Sequence, residues 1–173
     1  MQRRWLPLFC VALAALAIVI PAVATAARKH SHSSSLDAAI VTQLNVVRGQ
    51  AGLRPLRTNG ELIAAARGHS LEMTGLGYFS HASADGESMA DRVRASYPGG
   101  RRWTVGENLL WSSPAVGSLR AVTLWMASPE HRAIILTAGW RDVGCASVHT
   151  DAAPGVYDDL PVTVVTCDFG VRS

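Results

Sequence analysis

Lysine is almost missing from this chain. Lys29 is the only one among 173 residues, and arginine carries the rest of the positive charge. Nowhere do basic residues gather into the stripe that marks a nucleic-acid surface, so no nucleic-acid partner is expected. There is no internal repeat, which excludes solenoids and propellers. The His-Glu-x-x-His helix mark of many zinc peptidases is absent. No serine or cysteine stands in the sequence setting of an activated nucleophile. Ser80 beside His81, and Ser128 before His131, are too generic to count. No apolar run reaches the roughly 20 residues a spanning helix needs.

The longest apolar run, residues 5–20, has a different meaning. Arg3 and Arg4 precede it, and the small residues Ala22, Ala24, Ala26 and Ala27 follow it. Positive start, short apolar core and small-residue end are the layout of a cleavable secretory signal, residues 1–27, cut near Ala24–Ala27. Cys10 lies inside the apolar run, away from any cleavage point, which argues against a lipid anchor. A secreted, extracellular product with no membrane span after cleavage is expected. Loss of Arg3 and Arg4 leaves 14 basic against 13 acidic residues, so the formal charge falls from +3 to +1. The basic balance of the full chain therefore says little about partners. Residues 28–35, rich in serine, read as a linker. His30 and His32 within it could hold a metal weakly, though solvated side chains are the plainer reading.

Cleavage also removes Cys10 and leaves Cys145 and Cys167. In an exported domain two cysteines most simply form one disulfide; two buried free thiols are the alternative. Both lie in β-patterned runs, an unsuitable place for a catalytic thiolate.

The rest, residues 36–173, reads as one domain. Leu36, Ile40, Leu44 and Val47 share a helix face, with Ser35 as N-cap and Gly52 as stop. Asn59 caps a second helix whose stripe is Leu62, Ala66, His69, Met73 and Leu76, ended by Gly75 and Gly77. His69 on that stripe reads as a packed core histidine. A third helix spans residues 88–96. Trp103 to Val105 is strand-like and leads into Gly106, Glu107 and Asn108. A fourth helix, residues 115–127, turns Leu119, Val122 and Trp125 inward. Ser128, Pro129 and Glu130 open a short fifth helix, with His131 in its first turn. Residues 143–149 and 162–169, rich in valine and threonine, form an antiparallel pair around a turn-prone stretch. Trp103, Trp111, Trp125 and Trp140 read as core and cleft-wall residues. Helices first and strands last give an α+β fold with a mainly antiparallel sheet.

His81, Glu107 and His131 are the polar residues most suited to chemistry, each read as lying in a loop or at a helix start. Two imidazoles and a carboxylate can hold a divalent metal such as zinc with an open position for water. Without metal they can act as general acid and base. Glu107 with Asn108 could equally tie loops together by hydrogen bonds.

Five short motifs occur in order: Tyr78-Phe79-Ser80-His81, Gly106-Glu107-Asn108-Leu109, the run from Trp125 to Leu136, Val143-Gly144-Cys145, and Val165 to Gly170. In this order they resemble the CAP superfamily, which includes cysteine-rich secretory proteins, insect venom antigens and plant pathogenesis-related proteins, and most of all its bacterial secreted branch. The resemblance implies an α-β-α sandwich with a mainly antiparallel central sheet. It also implies a surface cleft lined by two histidines and two acids. His81, Glu107 and His131 match three of the four. The second acid of plant and animal relatives falls at Ser128 here, and Glu130 is the nearby substitute. His81 and His131 are then the metal-ligand candidates. The resemblance also implies a lipid or sterol-like ligand or an extracellular protein as partner, on a monomeric domain. A metal-dependent hydrolase or peptidase, with Glu107 as base, is the enzymatic alternative, and a purely structural extracellular domain is the third.

Overall fold

A computed structural model describes residues 29–173. The secretory-signal expectation for residues 1–27 lies outside the described residues. Strand β1 (His30–His32) is followed by α1 (Ser34–Gln50), β2 (Arg57–Thr58), α2 (Gly60–Leu76) and α3 (Met89–Ser96). Then come β3 (Trp103–Ser112), α4 (Ser118–Ala127), α5 (Pro129–Ile135), β4 (Asp142–Thr150), a 3-10 turn (Gly155–Tyr157) and β5 (Val162–Arg172). The sheet order is β1-β4-β5-β3, with the short β2 added in parallel to β4. All other pairings are antiparallel.

Successive strand residues point to opposite faces, and the two faces are covered by different helices. On one, Val143, Cys145, Val165, Cys167 and Phe169 pack with Ile40 and Leu44 of α1, Val122 and Trp125 of α4, and Ile135 of α5. On the other, Leu109, Val162 and Val164 pack with Met73 of α2, and Leu62 and Ala65 of α2 meet Val93 and Tyr97 of α3. This is the expected α-β-α sandwich. Cys145 and Cys167 are register partners on β4 and β5 and are joined as a disulfide.

Local signals explain most boundaries. Asn59 caps α2 by accepting from the amides of Glu61 and Leu62. Gly77 ends α2 with φ +75°, and a Cβ there would meet the Pro154 carbonyl oxygen at 2.6 Å, so only glycine serves both needs. His69 is fully buried, as expected.

Three readings need correction. The Ser-rich stretch includes β1, whose residues pair with Val148, His149 and Thr150, and His32 Nε2 lies 2.6 Å from Asp37 Oδ2. Consequently α1 starts earlier, with Ser33 rather than Ser35 as its cap. Leu76 and Leu119, expected to face inward, are 63% and 67% exposed. The four tryptophans divide as well: Trp125 and Trp140 are buried, Trp103 is half-buried under Arg94, and Trp111 sits on the surface against Tyr157.

Two side chains fasten α4 to β3 and the end of α5 to α1. Trp125 Nε1 donates to the Leu109 carbonyl at 2.9 Å. Buried Arg48 of α1 donates to the carbonyls of Ile135 and Thr137, at 2.6 and 3.0 Å, and so binds the end of α5. The position of His131 follows from these contacts.

Candidate functional site

Glu107 lies within strand β3, and its side chain is fully buried on the α2–α3 face. It was expected in a loop. The strand continues through Gly106, paired with Phe169 of β5, and glycine fits there because the Trp140 ring lies 3.0 Å from where a Cβ would stand. A buried carboxylate must find donors, and Glu107 has two. His81 Nδ1 donates to Oε1 at 2.7 Å, and Arg92 Nη2 of α3 donates to Oε2 at 2.6 Å. Arg92 Nη1 also donates to the carbonyl of His81 and the hydroxyl of Ser83, at 3.0 and 3.1 Å. One guanidinium thus fixes both the carboxylate and the loop that carries His81. The sequence reading did not single out Arg92.

That loop is fastened at its root too. Tyr157 donates its hydroxyl to the Tyr78 carbonyl at 2.8 Å, and Tyr78 donates to Glu72 Oε2 at 2.7 Å. His69 Nε2 donates to the Ser80 carbonyl at 2.8 Å, so the ring has its proton on Nε2. Burial holds His69 below the ordinary histidine range, consistent with that neutral form.

His131 approaches from the opposite layer. Its Nδ1 lies 2.8 Å from the Ser128 hydroxyl. Asn108, fully buried, donates to the His131 backbone carbonyl at 3.2 Å and fixes the start of α5 against β3. Asn108 is therefore a support for the site, not a cleft-facing group. The charge of His81 acts on His131. Each has its Nδ1 engaged, by Glu107 in one case and Ser128 in the other, and neither Nε2 has a protein partner among the described residues.

The electrostatics of the two rings differ. His81 is raised above the usual histidine range, first by its bond to Glu107. His131 is lowered, first by burial and then by the charge of His81. The two shifts run in opposite directions, so His81 keeps its proton to a higher pH than His131. Glu130 is exposed and acts on both rings only through its charge. Ser128, where the resemblance led one to expect the second acid, lies against His131 with a neutral hydroxyl.

A resident zinc centre is a poor fit to these groups. Among the described residues, no three of His, Cys, Asp and Glu converge so as to hold a metal ion. Both oxygens of Glu107 are taken, which leaves two ring nitrogens as protein ligands. No helix among the described residues is long and apolar enough to cross a membrane.

The sequence pattern of the cysteine-rich secretory protein family, CAP, matches residues 41–169. An uncharacterized protein of Bacillus subtilis, YkwD, is 29% identical over 69% of this chain and 45% of its own. The uncharacterized membrane protein YlbC of the same organism is 30% identical over 61% of this chain and 29% of its own. The chain thus spans less than half the length of the curated relatives it matches. Among solved structures, an extracellular protein with an SCP domain from Bacillus anthracis superposes with a TM-score of 0.63 at 25% identity, over 80% of this chain and 41% of that one. An outer surface protein of Borrelia burgdorferi superposes with a TM-score of 0.67 at 17% identity, over 84% and 99% of the two chains, which concerns the fold alone.

Proposed function

This chain belongs to the cysteine-rich secretory protein (CAP) family, and we propose that it is an extracellular binding domain whose cleft, between His81 and His131, receives a protein or small-molecule partner. The observation that carries this reading is the pairing of the rings. Each is held at Nδ1 and leaves Nε2 without a protein partner among the described residues, and the two rings titrate in opposite directions from the ordinary histidine value, which suits a ligand with an acceptor and a donor side by side. An extracellular setting accords with the disulfide and with the extracellular protein of Bacillus anthracis whose structure it resembles.

A divalent metal enters this reading only together with a partner. Two ring nitrogens would hold it, and its other positions would be filled by water or by the partner's own atoms. Second partners on the far ring nitrogens, such as Glu107 on His81, orient imidazoles for this purpose. The test is a zinc titration by calorimetry on the wild type and on the His81→Ala/His131→Ala double variant. Equal heats would remove the metal from the reading. The same proteins, followed by the histidine ring signals in NMR during titration with candidate ligands, would show whether the cleft is the contact.

A small apolar ligand has its own support. A groove of about 270 Å³ between α1 and α4 is lined by Val47, Leu119, Val122 and Met126, with Gln43, Gln50 and Thr123 among them. Exposed Leu119, an inward residue by sequence, becomes intelligible if something apolar covers it. The hydrolase reading makes the opposite demand, turnover of peptides or esters that chelators and Glu107→Ala abolish. Absence of turnover in the folded domain favours binding.

A further inference from the structure

Asp168 is a fully buried acid that the cleft described above does not use. It stands on β5 directly opposite Glu107 of β3 and Gly144 of β4, so all three look toward α2. The glycine allows the helix down onto the sheet. A Cβ at Gly144 would lie 2.2 Å from the backbone nitrogen of Ile63. Asp168 is thereby sealed between the sheet and α2.

Neither carboxyl oxygen of Asp168 receives a hydrogen bond. The charged and titratable groups acting on it are Glu107 from β3, within hydrogen-bonding reach, and Arg92 from α3. His69 of α2 shares the field of the same two residues. β4 contributes only Gly144 at this point. Arg92 is spent on Glu107, the His81 carbonyl and Ser83. An ionised carboxylate sealed in the core without a donor is untenable, and such a group takes up a proton instead. Burial, then the negative Glu107, push Asp168 well above the carboxylate range, with Arg92 opposing.

We propose that Asp168 is a positioning residue: it keeps its proton in the folded protein and donates it to Glu107, making Asp168–Glu107–His81 one hydrogen-bonded line from the core to the cleft. Glu107 then accepts from Asp168, Arg92 and His81 together. It has no proton to give, so His81 must present Nδ1–H inward and Nε2 outward. The acid in the core sets which face of the imidazole a ligand meets. The inference deepens the cleft reading, since it matters functionally only if His81 meets a ligand. The proton itself is measurable without any ligand.

The experiment is infrared difference spectroscopy of the wild-type mature domain against Asp168→Asn at neutral pH. The expected result is a protonated carboxylic acid band in the wild type that is absent from the variant. No such band in the folded wild type overturns the proposal. NMR titration of His81 is the second arm. Asp168→Asn retains a donor to Glu107 and should leave the His81 pKa where it is. A clear fall would mean that a negative charge was removed, and the proposal is wrong. Asp168→Leu removes the donor without adding charge, so Glu107 pulls harder on His81 and its pKa rises. An unchanged value in a folded Leu variant would deny Asp168 its positioning role. Should the Leu variant not fold, the infrared band and the Asn variant decide alone. Failure of ligand binding at the cleft would move none of these readings.

Discussion

The two faces of the sheet have opposite characters. Against α1, α4 and α5 the centre of the sheet is apolar around the disulfide except for Asn108 beside Cys167, and the other buried polar groups stay at the margins. There Asp37 accepts from the backbone and hydroxyl of Ser147, each at 2.7 Å, and Arg48 meets carbonyls. Against α2 and α3 the centre itself is polar: Glu107, Asp168, His69, and the Ser70–Thr166 hydroxyl pair at 2.8 Å. The dry face fixes the fold; the polar face fixes the direction of a side chain. The cleft draws one histidine from each, which accounts for their unlike supports and oppositely shifted titrations.

The sharpest way to break the polar face is to remove its cation. Arg92→Leu leaves the buried Glu107 without its cation, with His81 and Asp168 as the remaining donors. Deleting one partner of a buried ion pair costs about 3–5 kcal/mol. Chemical denaturation should show a loss of that size, and the His81 ring signals should shift and broaden as its loop is released. A loss below about 1 kcal/mol, the value of an exposed pair, would mean that Arg92 is dispensable and the polar face less demanding than drawn. The matching cut on the dry face is Cys145→Ala/Cys167→Ala. The bond joins residues 22 apart in sequence. By the loop-entropy account it contributes about 3 kcal/mol. This loss should come without movement of the His81 and His131 signals. If those signals move as much as they do in Arg92→Leu, the two faces are not separable.

This division also marks what could be read in advance. The dry face was legible. Helical spacing located Ile40, Leu44 and Trp125, and β-patterned runs located Cys145 and Cys167, because burial against one layer leaves a period in the sequence. The order of motifs located His81, Glu107 and His131. The polar face was not legible. Arg92 looks like any charge on a short helix, and it takes its meaning from a strand and a loop that meet only in three dimensions. Asp168 did leave a trace, a lone acid inside the apolar run Val162–Arg172, and an ionisable residue there is a reason to look for a partner. Glu107 was misplaced because Gly106 and Asn108 suggested a loop, whereas both are strand residues fitted to Trp140 and α5. β1 was missed since its pairing with β4 joins positions as distant as His30 and Thr150 through the backbone, to which serines and histidines give no local clue.

The finest test of the contrast uses pH, and its expected effects are small because the His81 side chain is 59% exposed and solvent screens its charge. The folded-state pKa of His81 lies above its ordinary 6.5 through its bond to Glu107. Its contribution to stability is therefore complete below about 6.5 and disappears as pH rises through the folded value. His131 lies below 6.5 because of burial, then the charge of His81. Its contribution is complete above about 6.5 and disappears as pH falls toward the folded value. His81→Gln should accordingly lower the melting temperature more at about pH 5 than at about pH 8, and His131→Gln more at about pH 8 than at about pH 5. The two are coupled, so His81→Gln should also let the His131 pKa rise in an NMR titration. Slopes of the same sign in both variants would show that Glu107 and Ser128 support their rings in the same way, and the distinction between a raised and a lowered histidine would fall.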